Sequence, residues 1–182
     1  MIGSDTANHL WLPASALVAQ PIAEIPKGAL VLGRPHGRDR PAAWGIRFDL
    51  DDYRFVYAIS DDGEGRRSTG KAQDVTDRGE RAYRVDLNFA VEADLSRPVS
   101  GWGIDDPRAG QLVAGADGAA LVARFHQPGE HPRLDPVSLK TWMPTERDVL
   151  DTVFGAWRLR IDVPGVDPIY LDPRSLVTPP SS

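Results

Sequence analysis

His126, Glu130 and His131 are the residue types most readily turned to metal chemistry in this chain. Imidazole nitrogen and carboxylate oxygen suit zinc, iron or manganese. The three fall at the end of an alternating stretch and in the Pro128-Gly129 turn that follows, where the chain can fold back and converge them. The plainer reading is a solvated surface turn. Arg34, His36, Arg38 and Arg40 form the densest basic cluster, and guanidinium forks at that density suit an anion or an acidic partner surface. Trp44, Tyr53, Phe55 and Tyr57 share one strand face and either line a ligand cavity or build a core.

Other patterns stop short of chemistry. Gly65, Gly70 and Lys71 have the spacing of a phosphate-binding loop, but Ala72 stands where a magnesium-holding Ser or Thr belongs. Residues 73–79 also lack the helical period that would aim backbone amides at a phosphate. The acidic pairs Asp51-Asp52, Asp61-Asp62 and Asp105-Asp106 lack the EF-hand pattern and fit turns instead. Trp102 lies on a connection rich in glycine and proline, a place for a carbohydrate or partner contact if exposed. There is no cysteine, so thiolate catalysis, disulfides and cysteine-held zinc are excluded. No nucleophile elbow or dinucleotide fingerprint occurs.

The elements that must position these residues are mostly strands. Between 83 and 93, Tyr83, Val85, Leu87, Phe89, Val91 and Ala93 alternate with Arg84, Asp86, Asn88, Ala90 and Glu92, which predicts one long half-buried strand. Two alternating runs about Asp51-Asp52 predict a hairpin over 44–60, sharing a sheet with that strand. A second hairpin is expected about Asp117-Gly118, a dipeptide suited to a tight turn. Ala29 to Leu32, Trp157 to Val163 and Ile169 to Leu171 read as further strands. Residues 127–136 read as a proline-rich loop, and 61–81 as a long polar one. Thr145 as N-cap, followed by Val149, Leu150, Val153, Phe154 and Trp157, predicts a helix over 146–155.

The expected fold is therefore mainly β, an antiparallel sandwich or partly closed barrel with one short helix near the C-terminus. The 182 residues fit a single domain over 1–182, with an extended arm at 1–27 interrupted by Pro13, Pro21 and Pro26 and a short tail at 177–182. A net charge of -5 disfavours nucleic acid and anionic membranes as partners. The apolar run at 10–23 is preceded by Asp5 and broken by proline, so neither a signal peptide nor a membrane span is expected.

The functional expectation is a non-enzymatic structural or interaction subunit, cytoplasmic or within an assembled particle of phage-like or virion-like kind. Its partners would be proteins or further copies of itself, with no cofactor. The alternative is a small-molecule-binding barrel or a metal-dependent enzyme holding a divalent metal. In that case the turn at 126–131 resembles those of cupin-type barrels, although the His-x-His core of that family is absent.

Overall fold

The computed structural model describes residues 11–33, 43–59, 69–97, 99–101, 108–127 and 129–171. It is mainly β, built of antiparallel sheets that do not close into a barrel. The first sheet contains β1 (Leu17–Pro21), β2 (Leu30–Leu32), β3 (Trp44–Leu50), β4 (Tyr53–Ala58), β5 (Ala72–Asp74) and β6 (Arg81–Val85), in the order β1-β6-β2-β3-β4-β5. Three more strands are introduced by chain position as β7 (Asn88–Ala93), β8 (Val99–Gly101) and β9 (Leu112–Gly115). The remaining five are β10 (Gly118–Phe125), β11 (Arg133–Ser138), β12 (Leu150–Phe154), β13 (Trp157–Asp162) and β14 (Ile169–Leu171). The second sheet runs β11-β10-β9-β12-β8, and the third β14-β13-β7.

The expected 44–60 hairpin forms as β3 and β4, with Leu50 opposite Tyr53 and Asp51-Asp52 between them. Asp51 takes φ 51°, a left-handed conformation that aspartate tolerates better than most residues. The second hairpin pairs Gly115 with Gly118, so its turn is Ala116-Asp117, one residue earlier than expected. Two segments read as loops hold strands. Ala72–Asp74 pairs with β4, and Arg133–Ser138 pairs with β10, its Pro136 opposite Val122 on an edge strand where a missing N–H is tolerated.

The 83–93 stretch keeps its parity but not its partners. Val85 is buried and Leu87, Phe89, Val91 and Ala93 pack on the main core, as alternation required. The run breaks at Asp86 and Leu87, however, into β6 and β7, which belong to different sheets. On one side β1 pairs with β6, and beyond Asp86 it gives way to β13 pairing with β7. β6 shares the first sheet with the 44–60 hairpin, as expected, but β2 lies between them as its direct neighbour.

The helix expected over 146–155 is absent. A single 3-10 turn, Arg147–Val149, leads directly into β12. A bulge between Leu150 and Thr152 in the pairing of β12 with β9 explains the misreading. An extra residue restores the same face after three positions instead of two, and Leu150 and Val153 indeed join one apolar cluster with Val113, Ala120 and Val122. Three-residue spacing on one face is also what a helix shows.

One core joins all three sheets: Ile46, Phe48, Phe55 and Val85 from the first, Leu121, Phe125 and Val137 from the second, Trp157, Leu159 and Ile161 from the third. Phe48 stacks on Phe55 at 5.3 Å between centroids, and Phe125 closes the trio at 5.3 Å from Phe55 and 6.1 Å from Phe48. Burying each such ring contributes roughly 2–3 kcal/mol from apolar area, with about 1 kcal/mol more from ring geometry. The first and second sheets are tied where β10 runs past β9: Arg124 donates its N–H to Gly70 O at 2.7 Å. The third sheet is tied by Trp157, whose indole N–H donates to Gly110 O at 2.8 Å. Ile25, Val31 and Ala82 form a smaller cluster of their own, joined by Ile22, while Leu12 and Leu17 of the N-terminal arm pack on the main core.

Candidate functional site

An open cleft lies where the 83–93 stretch breaks between β6 and β7. It has a volume of about 650 Å³ and is lined by Leu87, Asn88, Phe89, Ala90 and Val91 on one side and by Gly28, Leu139 and Trp142 on the other. That volume lies within the range of roughly 300–1,000 Å³ typical of ligand clefts.

The β7 side presents main chain as well as side chains. Asp94 donates its N–H to Ala156 O at 2.9 Å, so even-numbered residues of β7 turn their N–H and C=O groups toward β13. Alternation then turns those of Phe89, Val91 and Ala93 to the opposite edge. Along β6 that side is occupied by β2. β2 does not extend to β7, because Gly28, at φ 80°, turns the chain before Leu30. Among the described residues no strand pairs with this edge of β7.

The opposite wall is built around Trp142, which holds φ 55°. A bulky residue in the left-handed region is costly, of the order of 1–3 kcal/mol, and persists only where its surroundings hold it. Here Trp142 N–H donates to Ser138 O at 2.9 Å, and Trp142 O accepts from Asp49 N–H at 3.1 Å. The Ser138 hydroxyl oxygen accepts from the Lys140 and Thr141 amides at 3.2 and 3.4 Å, tightening the same turn. The indole stands 6.1 Å from the Phe89 ring, tilted by 50°.

Charge around the cleft is uneven. Arg47, only 2 % exposed, pairs with Asp49 at 2.7 Å and donates to Phe48 O and Phe55 O. Burial lowers its pKa, opposed by the hydrogen bond to Asp49. Its main chain brackets the cleft floor, since Arg47 O accepts from Gly28 N–H at 2.7 Å and Arg47 N–H donates to Ala29 O at 3.0 Å. Glu92, at the far end of β7, meets Arg158 at 2.9 Å and Arg160 at 3.6 Å. Arg158 also lies over the Tyr170 ring at 3.9 Å. The nearby carboxylates are thus matched by arginine. Lys27 and Lys140, each next in sequence to a lining residue, are exposed and have no ion-pair partner among the described residues.

The residues expected to carry chemistry lie elsewhere. His126, Glu130 and His131 are all exposed, Glu130 facing Arg133 at 4.0 Å, and among the described residues no group of three or more His, Asp or Glu side chains is placed to hold a metal. Trp44, Phe55 and Tyr57 are buried in the main core, and Tyr53 packs against it, so this face is filled by side chains. The Tyr57 hydroxyl has no hydrogen-bond partner among the described residues, and burial pushes its pKa far above the phenol range. Arg34, His36, Arg38 and Arg40 lie outside the described residues, as do Trp102, Asp105, Asp106 and the tail at 177–182. Of the phosphate-loop pattern only Thr69 to Lys71 is described. Gly70 N–H donates to Ala58 O at 2.9 Å, and the strand β5 follows where a helix would be needed.

Sequence reading missed the cleft. Phe89 and Val91 were visible as one face of a strand, but Gly28, Leu139 and Trp142 come from remote turns, and nothing in their spacing shows that they meet. No protein-family model, no curated protein and no solved structure matches this chain.

Proposed function

We propose that the chain works by binding protein, as a β-rich structural or interaction subunit of a larger assembly. The observation that supports this best is the main-chain edge of Phe89 and Val91, with which no strand pairs among the described residues and which runs along a cleft lined also by Trp142, held in a strained conformation. Unpaired edges are templates for another chain, and proteins ordinarily blunt or cover them. The lining of Leu87, Phe89, Val91, Leu139 and Trp142 adds apolar and aromatic area, which is what interface centres use. Trp44, Phe55 and Tyr57, on which the small-molecule alternative would draw, are buried in the main core.

Native mass spectrometry and sedimentation velocity of the purified full chain test this reading. Self-association, or stoichiometric retention of a co-purified protein, is the expected result. A strict monomer carrying one equivalent of a retained small molecule or metal would sink it.

A further inference from the structure

We infer that the β7 cleft is a slot for one extended acidic segment of a partner protein, which adds to β7 as a further strand. This rests on the protein-binding reading and gives it an occupant. The Phe89 and Val91 amides and carbonyls face the slot at the spacing of a β-ladder, so they select an extended backbone over a globular surface. Gly28, Leu139 and Trp142 line the cleft opposite this edge, so an incoming segment that pairs with β7 also meets side chains on its far side. Side chains of the incoming strand that face Phe89 and Trp142 are apolar by contact with those rings.

Charge complementarity decides the other side chains. Asn88 and Ala90, the outward-facing residues of β7 along the cleft, carry no charge, and Glu92 beyond them is held by two arginines. Arg47 holds Asp49. Asp86, next to Leu87, faces Arg84 at 3.5 Å, so among the charged sequence neighbours of the lining residues Lys27 and Lys140 are left exposed and without ion-pair partners among the described residues. A strand alternating apolar residues with Asp or Glu satisfies both the rings and the lysines.

The test uses the full 182-residue chain and an array of terminally blocked octapeptides. Asp or Glu alternates with Val, Ile, Leu, Phe, Tyr or Trp, and a matched array carries Lys in place of the acids. The inference expects saturable binding of acidic members, with a Kd on the order of 10 μM, and slowed amide hydrogen exchange at Phe89 and Val91. N-methylation of alternate peptide amides should abolish binding. The exposed double change Lys27→Glu with Lys140→Glu should weaken it about tenfold, the scale of two surface charges. No acidic binder at about 1 mM, equal binding of the lysine array, or indifference to N-methylation overturns it. So does protection of the Phe89 and Val91 amides in the free chain at every concentration, which would mean that the chain's own residues fill the slot. Protection that appears only with a concentration-dependent dimer assigns the slot to a second copy, and likewise overturns it. Failure here beside self-association through another surface leaves the assembly reading standing, whereas a ligand-loaded monomer removes that reading itself.

Discussion

Trp142 lies directly over Gly28: a Cβ built on Gly28 would stand 2.5 Å from Trp142 Cδ1 and 2.6 Å from Nε1. The two residues are far apart in sequence, and their contact forms the floor and wall of the β7 cleft. Gly28 also holds φ 80°, so any side chain there meets both a ring and a disfavoured backbone. Gly28→Ala should cost roughly 2–3 kcal/mol, the sum of backbone strain and overpacking. It should also displace the indole. The checks are the urea midpoint and the tryptophan emission spectrum; an unchanged spectrum together with unchanged stability would show that the contact is not made.

Tyr57 predicts a pH effect of definite sign. Its hydroxyl is buried without a partner among the described residues, and burial holds the phenol neutral well above its ordinary value of 10.0. Above about pH 10 the unfolded chain releases this proton and the folded chain keeps it, so stability is present below that pH and falls as pH rises. Tyr57→Phe should remove this part of the alkaline loss. It should also be neutral or stabilising by up to about 1 kcal/mol at pH 7, since an unsatisfied hydroxyl leaves the core. Thermal melts of both proteins at pH 7 and pH 10.5 decide it. A Tyr57→Phe variant less stable at pH 7 by more than about 1 kcal/mol would mean that the hydroxyl has a partner.

Arg47 and Asp49 allow a contrast between breaking an ion pair and replacing it. Asp49→Ala leaves a guanidinium only 2 % exposed with its carbonyl acceptors alone, and should cost about 2–4 kcal/mol. Arg47→Met with Asp49→Ala, which removes both charges and keeps the stem, should recover most of that loss. Denaturant midpoints of the single and double variants form the test. A double variant no more stable than Asp49→Ala would show that Arg47 contributes through its hydrogen bonds to Phe48 O and Phe55 O more than through charge.

Where a strand buries one face and wets the other, its residues announced it. The 44–60 hairpin, Trp157–Asp162 and Ile169–Leu171 appear as read, and the parity of 83–93 survives a change of sheet. The partners of that stretch were not legible, because alternation says which face is buried and nothing about which strand lies beside it. Apolar residues at three-residue spacing misled at 146–155, where the bulge beside Thr152 mimics helical period. Pro136 misled in the opposite direction, since an edge strand needs only half of its amides. The cleft was illegible for a stronger reason. It depends on Gly28 turning away, on β13 replacing β1, and on a left-handed Trp142, and each is a tertiary outcome with no local pattern.

Gly115 tests the strand that replaces the expected helix. A Cβ there would collide with the Val149 carbonyl, main chain that no rotamer change can move aside, at the point where β9 meets the bulged start of β12. Gly115→Ala must therefore separate the two strands, and should cost about 3 kcal/mol or more, beyond the usual range of surface substitutions. Gly79 is the control. Nothing lies within 4 Å of a Cβ built there, so Gly79→Ala should fall between neutral and about 1 kcal/mol stabilising through the unfolded chain. Urea midpoints of the two variants decide the matter. Equal midpoints would mean that Val149 and Leu150 do not lie against β9, as they would not if residues 146–155 coiled into a helix.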